Sequence, residues 1–239
     1  MANLQLIDFL DKRSCISRKG IKTYFMQNKI TMDDSTITRQ LKKLINEGII
    51  TRKENGYYFV NQQQKSVYRY NPSEKLTCII DLIQSSYPNI DFVAWEYVQF
   101  NEFINHLIGR NAFIIETEKY YEPVLFELLN NNYPKVLLDP SYDLFSLYSL
   151  DEPIIVKRKI SRSPINTANI HQPPLEKLLI DLLHDQFTSK LINNSEKKLM
   201  FENCFNTYYI NSKTMYSYAE RRNAKSKLEQ FLNSLDEGD

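Results

Sequence analysis

The tightest constraint on how this 239-residue chain can fold lies between positions 33 and 60. Ile37, Leu41, Leu44 and Ile45 recur at i, i+4, i+7 and i+8, the stripe of a helix buried along one face. Asp33, Asp34 and Ser35 stand where such a helix begins, with oxygens able to accept from the free amides of its first turn. Gly48 is placed to end it. Two short runs follow, over 49–54 and 57–60, on either side of Asn55-Gly56. That dipeptide favours a tight hairpin turn, because both of its central positions need positive φ. Upstream, Leu4, Leu6, Ile7 and Leu10 predict a first helix, and Ile21, Tyr24 and Phe25 a second over 17–28.

Three helices and then a β-hairpin resemble the winged helix-turn-helix of many bacterial regulators. The likeness rests on Ser35-Thr36-Ile37-Thr38-Arg39-Gln40-Leu41-Lys42-Lys43-Leu44, on Glu47-Gly48-Ile49-Ile50 and on Gly56-Tyr57-Tyr58. With the apolar stripe turned inward, Ser35, Thr36, Thr38, Arg39, Lys42 and Lys43 turn outward. A helix fits the major groove, and side chains near its N-terminus meet base edges. Arg39 is the expected base reader, by paired hydrogen bonds to guanine. Thr36 and Thr38 suit phosphate or a thymine methyl, Lys42 and Lys43 suit phosphate, and the wing residues Arg52 and Lys53 suit backbone or minor groove. The competing reading is a solvated basic face used for protein contacts.

Charge is divided unevenly along the chain. Residues 1–70 hold 13 Lys/Arg against 6 Asp/Glu, a net of +7, whereas residues 71–239 hold 17 against 23, a net of −6. A basic segment before a mildly acidic remainder predicts that the first part meets a polyanion. The polar run Asn61-Gln62-Gln63-Gln64-Lys65-Ser66, followed by Asn71-Pro72-Ser73, marks a boundary. The expected division is a winged helix-turn-helix domain over 1–62, a linker over 63–72 and a second domain over 73–239.

In that second domain the period changes. Helices are expected over 76–83 and 121–129 and from the stripe Phe100, Phe103, Ile104 and Leu107. Strands are expected over 90–95, 112–116, 135–138 and 153–160. From Pro173 onward the chain reads as helix: a Leu175, Leu178, Leu179, Leu182, Leu183 stripe, a helix over 196–208, and a last one over 212–235. The fold class is therefore α/β (α+β overall): a winged helix-turn-helix, then an α/β domain with a small mixed sheet and a helical C-terminal portion.

Signs of catalysis are scarce. Five glycines leave no Gly-rich phosphate loop, and neither G-x-S-x-G nor H-E-x-x-H occurs. Cys15, Cys78 and Cys204 are scattered, as are the three histidines, so neither a disulfide framework nor a Cys/His metal site is expected. His184-Asp185 reads as structural. Glu116-Thr117-Glu118-Lys119 lacks the acid-x-Lys spacing of a nuclease cluster, and Asp91 joins Glu116 only if their strands are neighbours. No catalytic residue, cofactor or metal is assigned. Two basic clusters stand out instead. Lys157-Arg158-Lys159 with Arg162 either guards a sheet edge or meets an anionic partner. Arg221-Arg222 lies within a helix, on a solvated face or at an acidic partner. Met1-Ala2-Asn3-Leu4-Gln5 has no basic and apolar leader pattern and no apolar run spans a membrane, so the expected location is cytoplasmic.

Several runs come in an order that resembles the AbiEi family, antitoxins of AbiE-type toxin–antitoxin and phage-abortive systems. They are Trp95-Glu96-Tyr97, Phe100-Asn101-Glu102-Phe103-Ile104-Asn105-His106, Phe113-Ile114-Ile115-Glu116-Thr117-Glu118-Lys119, Glu122-Pro123-Val124-Leu125-Phe126-Glu127-Leu128-Leu129, Ile160-Ser161-Arg162-Ser163-Pro164 and Tyr218-Ala219-Glu220-Arg221-Arg222. The resemblance implies an N-terminal winged helix that binds double-stranded DNA in its own promoter and represses it. It implies a C-terminal domain that counteracts a nucleotidyltransferase-like toxin, with or without direct contact. By position it makes Arg39, Lys42, Lys43, Arg52 and Lys53 the DNA readers and Arg158, Arg162, Arg221 and Arg222 the second domain's functional residues. The toxin's own Gly-Ser loop and paired aspartates are absent. Two other readings stand beside it: a winged-helix regulator whose C-terminal domain senses a ligand or protein, and a DNA-processing enzyme targeted by the winged helix.

Overall fold

A computed structural model describes residues 15–46, 49–52, 56–60, 66–148, 150–166 and 169–236. The expected first helix around Leu4 to Leu10, the terminator Gly48, the turn residue Asn55 and the wing residue Lys53 lie outside the described residues. The chain divides into two compact units, Met1–Val67 with Phe201–Asp239, and Tyr68–Met200.

The first unit opens with β1 (Cys15–Ser17) and α1 (Arg18–Gln27). Ser17 caps α1, its Oγ accepting from the Gly20 amide at 2.9 Å. Lys29, at φ +54, closes α1: the Ile30 amide donates to the Phe25 carbonyl at 2.8 Å, a left-handed helix stop. Then come α2 (Asp34–Asn46), β2 (Ile50–Arg52) and β3 (Tyr57–Val60). Gly56, at φ +79, takes the positive φ expected of the turn. The strands form one antiparallel sheet in the order β1-β3-β2. Only β1 was not expected, since three residues are too few to show a period. Ile16, Ile21, Phe25, Ile37, Leu41, Leu44, Ile50 and Tyr58 make the buried core.

The expected division carries residues 201–239 with the second domain; in the structure they pack with the first. The cause is aromatic. Phe205, at the end of α7 (Asn194–Thr207), meets Phe59 edge-on at 5.5 Å. The Tyr57 hydroxyl donates to Asn233 Oδ1 at 2.9 Å. Nor is 212–235 one helix. It is α8 (Ser212–Arg221) and α9 (Lys225–Asp236), broken at Asn223, which stands at φ +54 while the Ala224 amide donates to the Ala219 carbonyl at 2.8 Å. Asparagine tolerates that left-handed stop better than most residues.

The second unit holds α3 (Glu74–Ser86), β4 (Phe92–Glu96), β5 (Phe113–Thr117), α4 (Glu122–Asn130), β6 (Val136–Leu138), α5 (Tyr142–Leu147), β7 (Ile154–Arg158) and α6 (Leu175–His184). Its four-stranded mixed sheet runs β4-β5-β7-β6, with β4 antiparallel to β5 and both other pairs parallel. Alternation along the strands sends Phe92, Ala94, Phe113, Ile115, Ile154 and Val156 into one core with Leu76, Ile79 and Ile83 of α3 and Leu125 and Leu129 of α4. The opposite face carries Glu116, which meets Lys177 of α6, and Lys157, which meets Asp185 just past the end of that helix. The sheet is thus covered on both sides.

The stripe Phe100, Phe103, Ile104 and Leu107 is not an α-helix. Residues Tyr97–Glu102 form a 3₁₀ helix, and Leu107 is exposed. Side chains replace the helical carbonyls here: Asn101 Oδ1 accepts from the Ile108 amide at 2.7 Å, and Glu196 Oε2 from the Asn105 amide at 3.0 Å. Among the described residues, no helix is long and apolar enough to cross a membrane.

Candidate functional site

The depth of Ile37, Leu41 and Leu44 in the core fixes which way α2 faces. At 100° per residue, Ser35, Arg39, Lys42 and Asn46 fall opposite that stripe and Lys43 beside them. All five are exposed. Three basic side chains therefore share the outer face of one helix, with Arg52 exposed at the end of β2.

The helix N-terminus is built differently from its middle. Asp33 Oδ1 accepts from the Thr36 amide at 2.9 Å, and Ser35 Oγ donates to Asp33 Oδ2 at 2.7 Å. Hydrogen bonds from Thr36 and Ser35 hold the Asp33 carboxyl down at about 2. Thr38 Oγ1 donates to the Asp34 carbonyl at 2.7 Å and accepts from Arg18 Nη2 at 2.8 Å. Lys22 Nζ pairs with Asp34 Oδ1 at 2.8 Å, and this lysine holds the Asp34 carboxyl below the usual range. The hydroxyls of Ser35, Thr36 and Thr38 are thus engaged in the cap and in the brace to α1, whereas Arg39 makes no ion pair among the described residues. Arg18 and Lys22, which brace α2 from α1, were not singled out in the sequence. Their signal was only the general basicity of the N-terminal segment.

In the second unit the structure brings Arg158 and Arg162 together. Both line a cavity of about 520 Å³ that Lys119, Tyr120, Lys159 and Ser163 also border. Lys159 is paired there with Asp91. Arg221 and Arg222 end α8, in the first unit, and do not belong to this cavity. The sequence reading missed Lys119, Tyr120 and Ser163 as lining residues. Their signal is topological: they follow the ends of two strands that turn out to be parallel neighbours.

Lys157 neither guards a sheet edge nor faces a partner. β7 lies between β5 and β6, and Lys157 Nζ donates to Asp185 Oδ2 at 2.8 Å in the interior. Lys177 Nζ donates to Glu116 Oε1 at 2.8 Å and to Asp181 Oδ2 at 2.5 Å, all three side chains being buried. Asp185 Oδ1 also accepts from the Phe187 and Thr188 amides at 3.1 and 3.2 Å. Three carboxylates and two ammonium groups so fasten α6 to the sheet. β4 and β5 are neighbours, but Asp91 is held by Lys159 and Glu116 by Lys177, so the two carboxylates are not left to share a cation. Among the described residues, no three His, Cys, Asp or Glu side chains are grouped as ligands of a metal ion.

The family model of a family of unknown function, DUF6577, matches residues 36–237. No curated protein matches the chain.

Proposed function

The chain belongs to this family of unknown function, and from its own residues we propose that it is a DNA-binding antitoxin and autorepressor of AbiE type. It would repress its own promoter and counteract a nucleotidyltransferase-like toxin encoded beside it. One observation carries the DNA-binding half: Arg39, Lys42 and Lys43 stand exposed on the outer face of α2, backed by a buried Ile37, Leu41, Leu44 stripe. A rigid helix that presents a guanidinium between phosphate-reaching ammonium groups suits the major groove. The antitoxin half is supported by the resemblance of the chain's order of motifs to the AbiEi family. We assign Arg39 to base reading, Lys42, Lys43 and Arg52 to phosphate, and Arg158 and Arg162 to the second unit's function.

A second reading is favoured by a specific observation. The cavity bordered by Arg158 and Arg162 suits a winged-helix regulator whose second unit senses a ligand.

Expression of the neighbouring gene alone and together with the full chain tests the antitoxin assignment. Rescue of growth by the full chain is the expected result. A toxic neighbour that the full chain does not restrain overturns the assignment and leaves the regulator.

A further inference from the structure

The two central parallel strands end side by side, Thr117 of β5 opposite Arg158 of β7. Their onward connections leave in opposite directions. From β5 the chain passes through α4 to β6, on the far side of β7. From β7 it runs to the outer side of β4, where the Ala94 amide donates to the His171 carbonyl at 2.7 Å. Such a divergence opens a crevice at the carboxyl ends of the strands, the place where open α/β sheets hold their ligands.

The crevice here is the cavity of about 520 Å³, within the range of small-molecule sites. Its charged lining is Lys119, Arg158, Lys159 and Arg162 against Asp91 and Glu118, a surplus of cations. Lys159 is answered by Asp91, whereas Arg158 and Arg162 have no ion-pair partner among the described residues. Ser163 Oγ is buried at the rim with no hydrogen-bond partner. Tyr120 presents an aromatic ring that is 75% exposed, with Lys119 Nζ 4.4 Å from its centroid, and Ile165 nearby is 66% exposed. Tyr120 and Arg162 are both held at positive φ, +79° and +57°. Residues other than glycine keep that conformation where the surroundings enforce it.

We propose that this crevice binds a free nucleotide, with its phosphates on Arg158 and Arg162 and its base against Tyr120. Guanidinium pairs bind phosphate oxygens in a fork, and an exposed ring beside them takes the flat base. An inorganic anion uses the arginines alone. A nucleic-acid strand extends beyond a cavity of this size, so the free nucleotide is the better occupant. The site requires neither promoter DNA nor a toxin, so it stands or falls separately from the antitoxin reading.

Calorimetric titration of the full-length protein with ATP, and separately with inorganic pyrophosphate, tests the assignment. Saturable ATP binding is expected, weakened about tenfold or more in Arg158→Ala/Arg162→Ala. Tyr120→Ala should weaken ATP and leave pyrophosphate unchanged. Arg39→Ala should leave both unchanged while weakening promoter binding, which separates this site from the DNA-binding one. The double variant should keep the parent's thermal unfolding midpoint and circular dichroism, which certifies its fold, and Arg162→Glu provides a second variant with the same expected loss of ATP. No saturation by about 1 mM ATP, equal affinity in the arginine variants, or a single-stranded oligonucleotide that displaces ATP from the crevice at lower concentration each overturns the proposal.

Discussion

Lys177 makes two buried ion pairs inside the second unit. It lies between Glu116 and Asp181 with no solvent exposure. Replacing it by methionine takes a buried cation away from both Glu116 and Asp181, which costs about 3–5 kcal/mol. Urea denaturation of Lys177→Met checks this, and a loss under about 1 kcal/mol would place the pairs with ordinary surface ones. Burial pushes the Glu116 carboxyl up, but Lys177 and Lys157 pull it down further, and it ends below its ordinary 4.5. A carboxyl that is lower folded than unfolded contributes stability above its ordinary value and loses it as pH falls through the lowered one. Glu116→Gln should therefore flatten the fall of unfolding free energy on acidification below 4.5. An unchanged slope contradicts the assignment. These pairings were not legible in the sequence. Lys177 and Asp181 show as polar breaks at i, i+4 in an apolar helix, but the other partner of Lys177, Glu116, is 61 residues away. Arg39, by contrast, was placed by helical period alone.

At the scale of elements, stops decided what could be read. The Ile37, Leu41, Leu44 stripe and Gly56 at φ +79 are local features, and the structure places α2 and β3 where they point. The end of α1 falls where the 17–28 helix was expected to stop, whereas the break at Asn223 was hidden, because left-handed helix stops usually announce themselves with glycine. Lys29 suggests a simple experiment. Its φ of +54 disfavours any residue bearing Cβ, and its side chain is exposed. Lys29→Gly should stabilise the α1–α2 corner by about 1 kcal/mol. Thermal unfolding should show a raised midpoint; a lowered one would mean that the lysine side chain does more than occupy the corner. The 3₁₀ segment Tyr97–Glu102 was misread for another reason. Its apolar spacing fits a helix, but Asn101 and Glu196 satisfy the amides that a helix would have used.

At the scale of the whole molecule, residues 201–239 belong to the unit that carries α2, a long-range pairing that no periodicity shows. Tyr57 and Phe59 of the wing strand lean on Asn233 and Phe205. Deleting residues 201–239 should therefore unfold or expose the winged helix rather than free it. Circular dichroism and limited proteolysis of that truncation report the outcome, and a fully protected, cooperatively melting remainder would show that the C-terminal segment is dispensable. Whether α2 reads DNA is decided by fluorescence anisotropy of the full chain. The probes are duplex DNA from immediately upstream of its own gene and a shuffled duplex of the same composition, at several salt concentrations. Preference for the promoter duplex is the expected result. Arg39→Ala should lose about 1–3 kcal/mol on the promoter duplex and little on the shuffled one. Lys42→Ala should lower the salt slope by about one without changing preference. Equal binding to both duplexes, or equal losses on both for Arg39→Ala, would contradict DNA reading by α2.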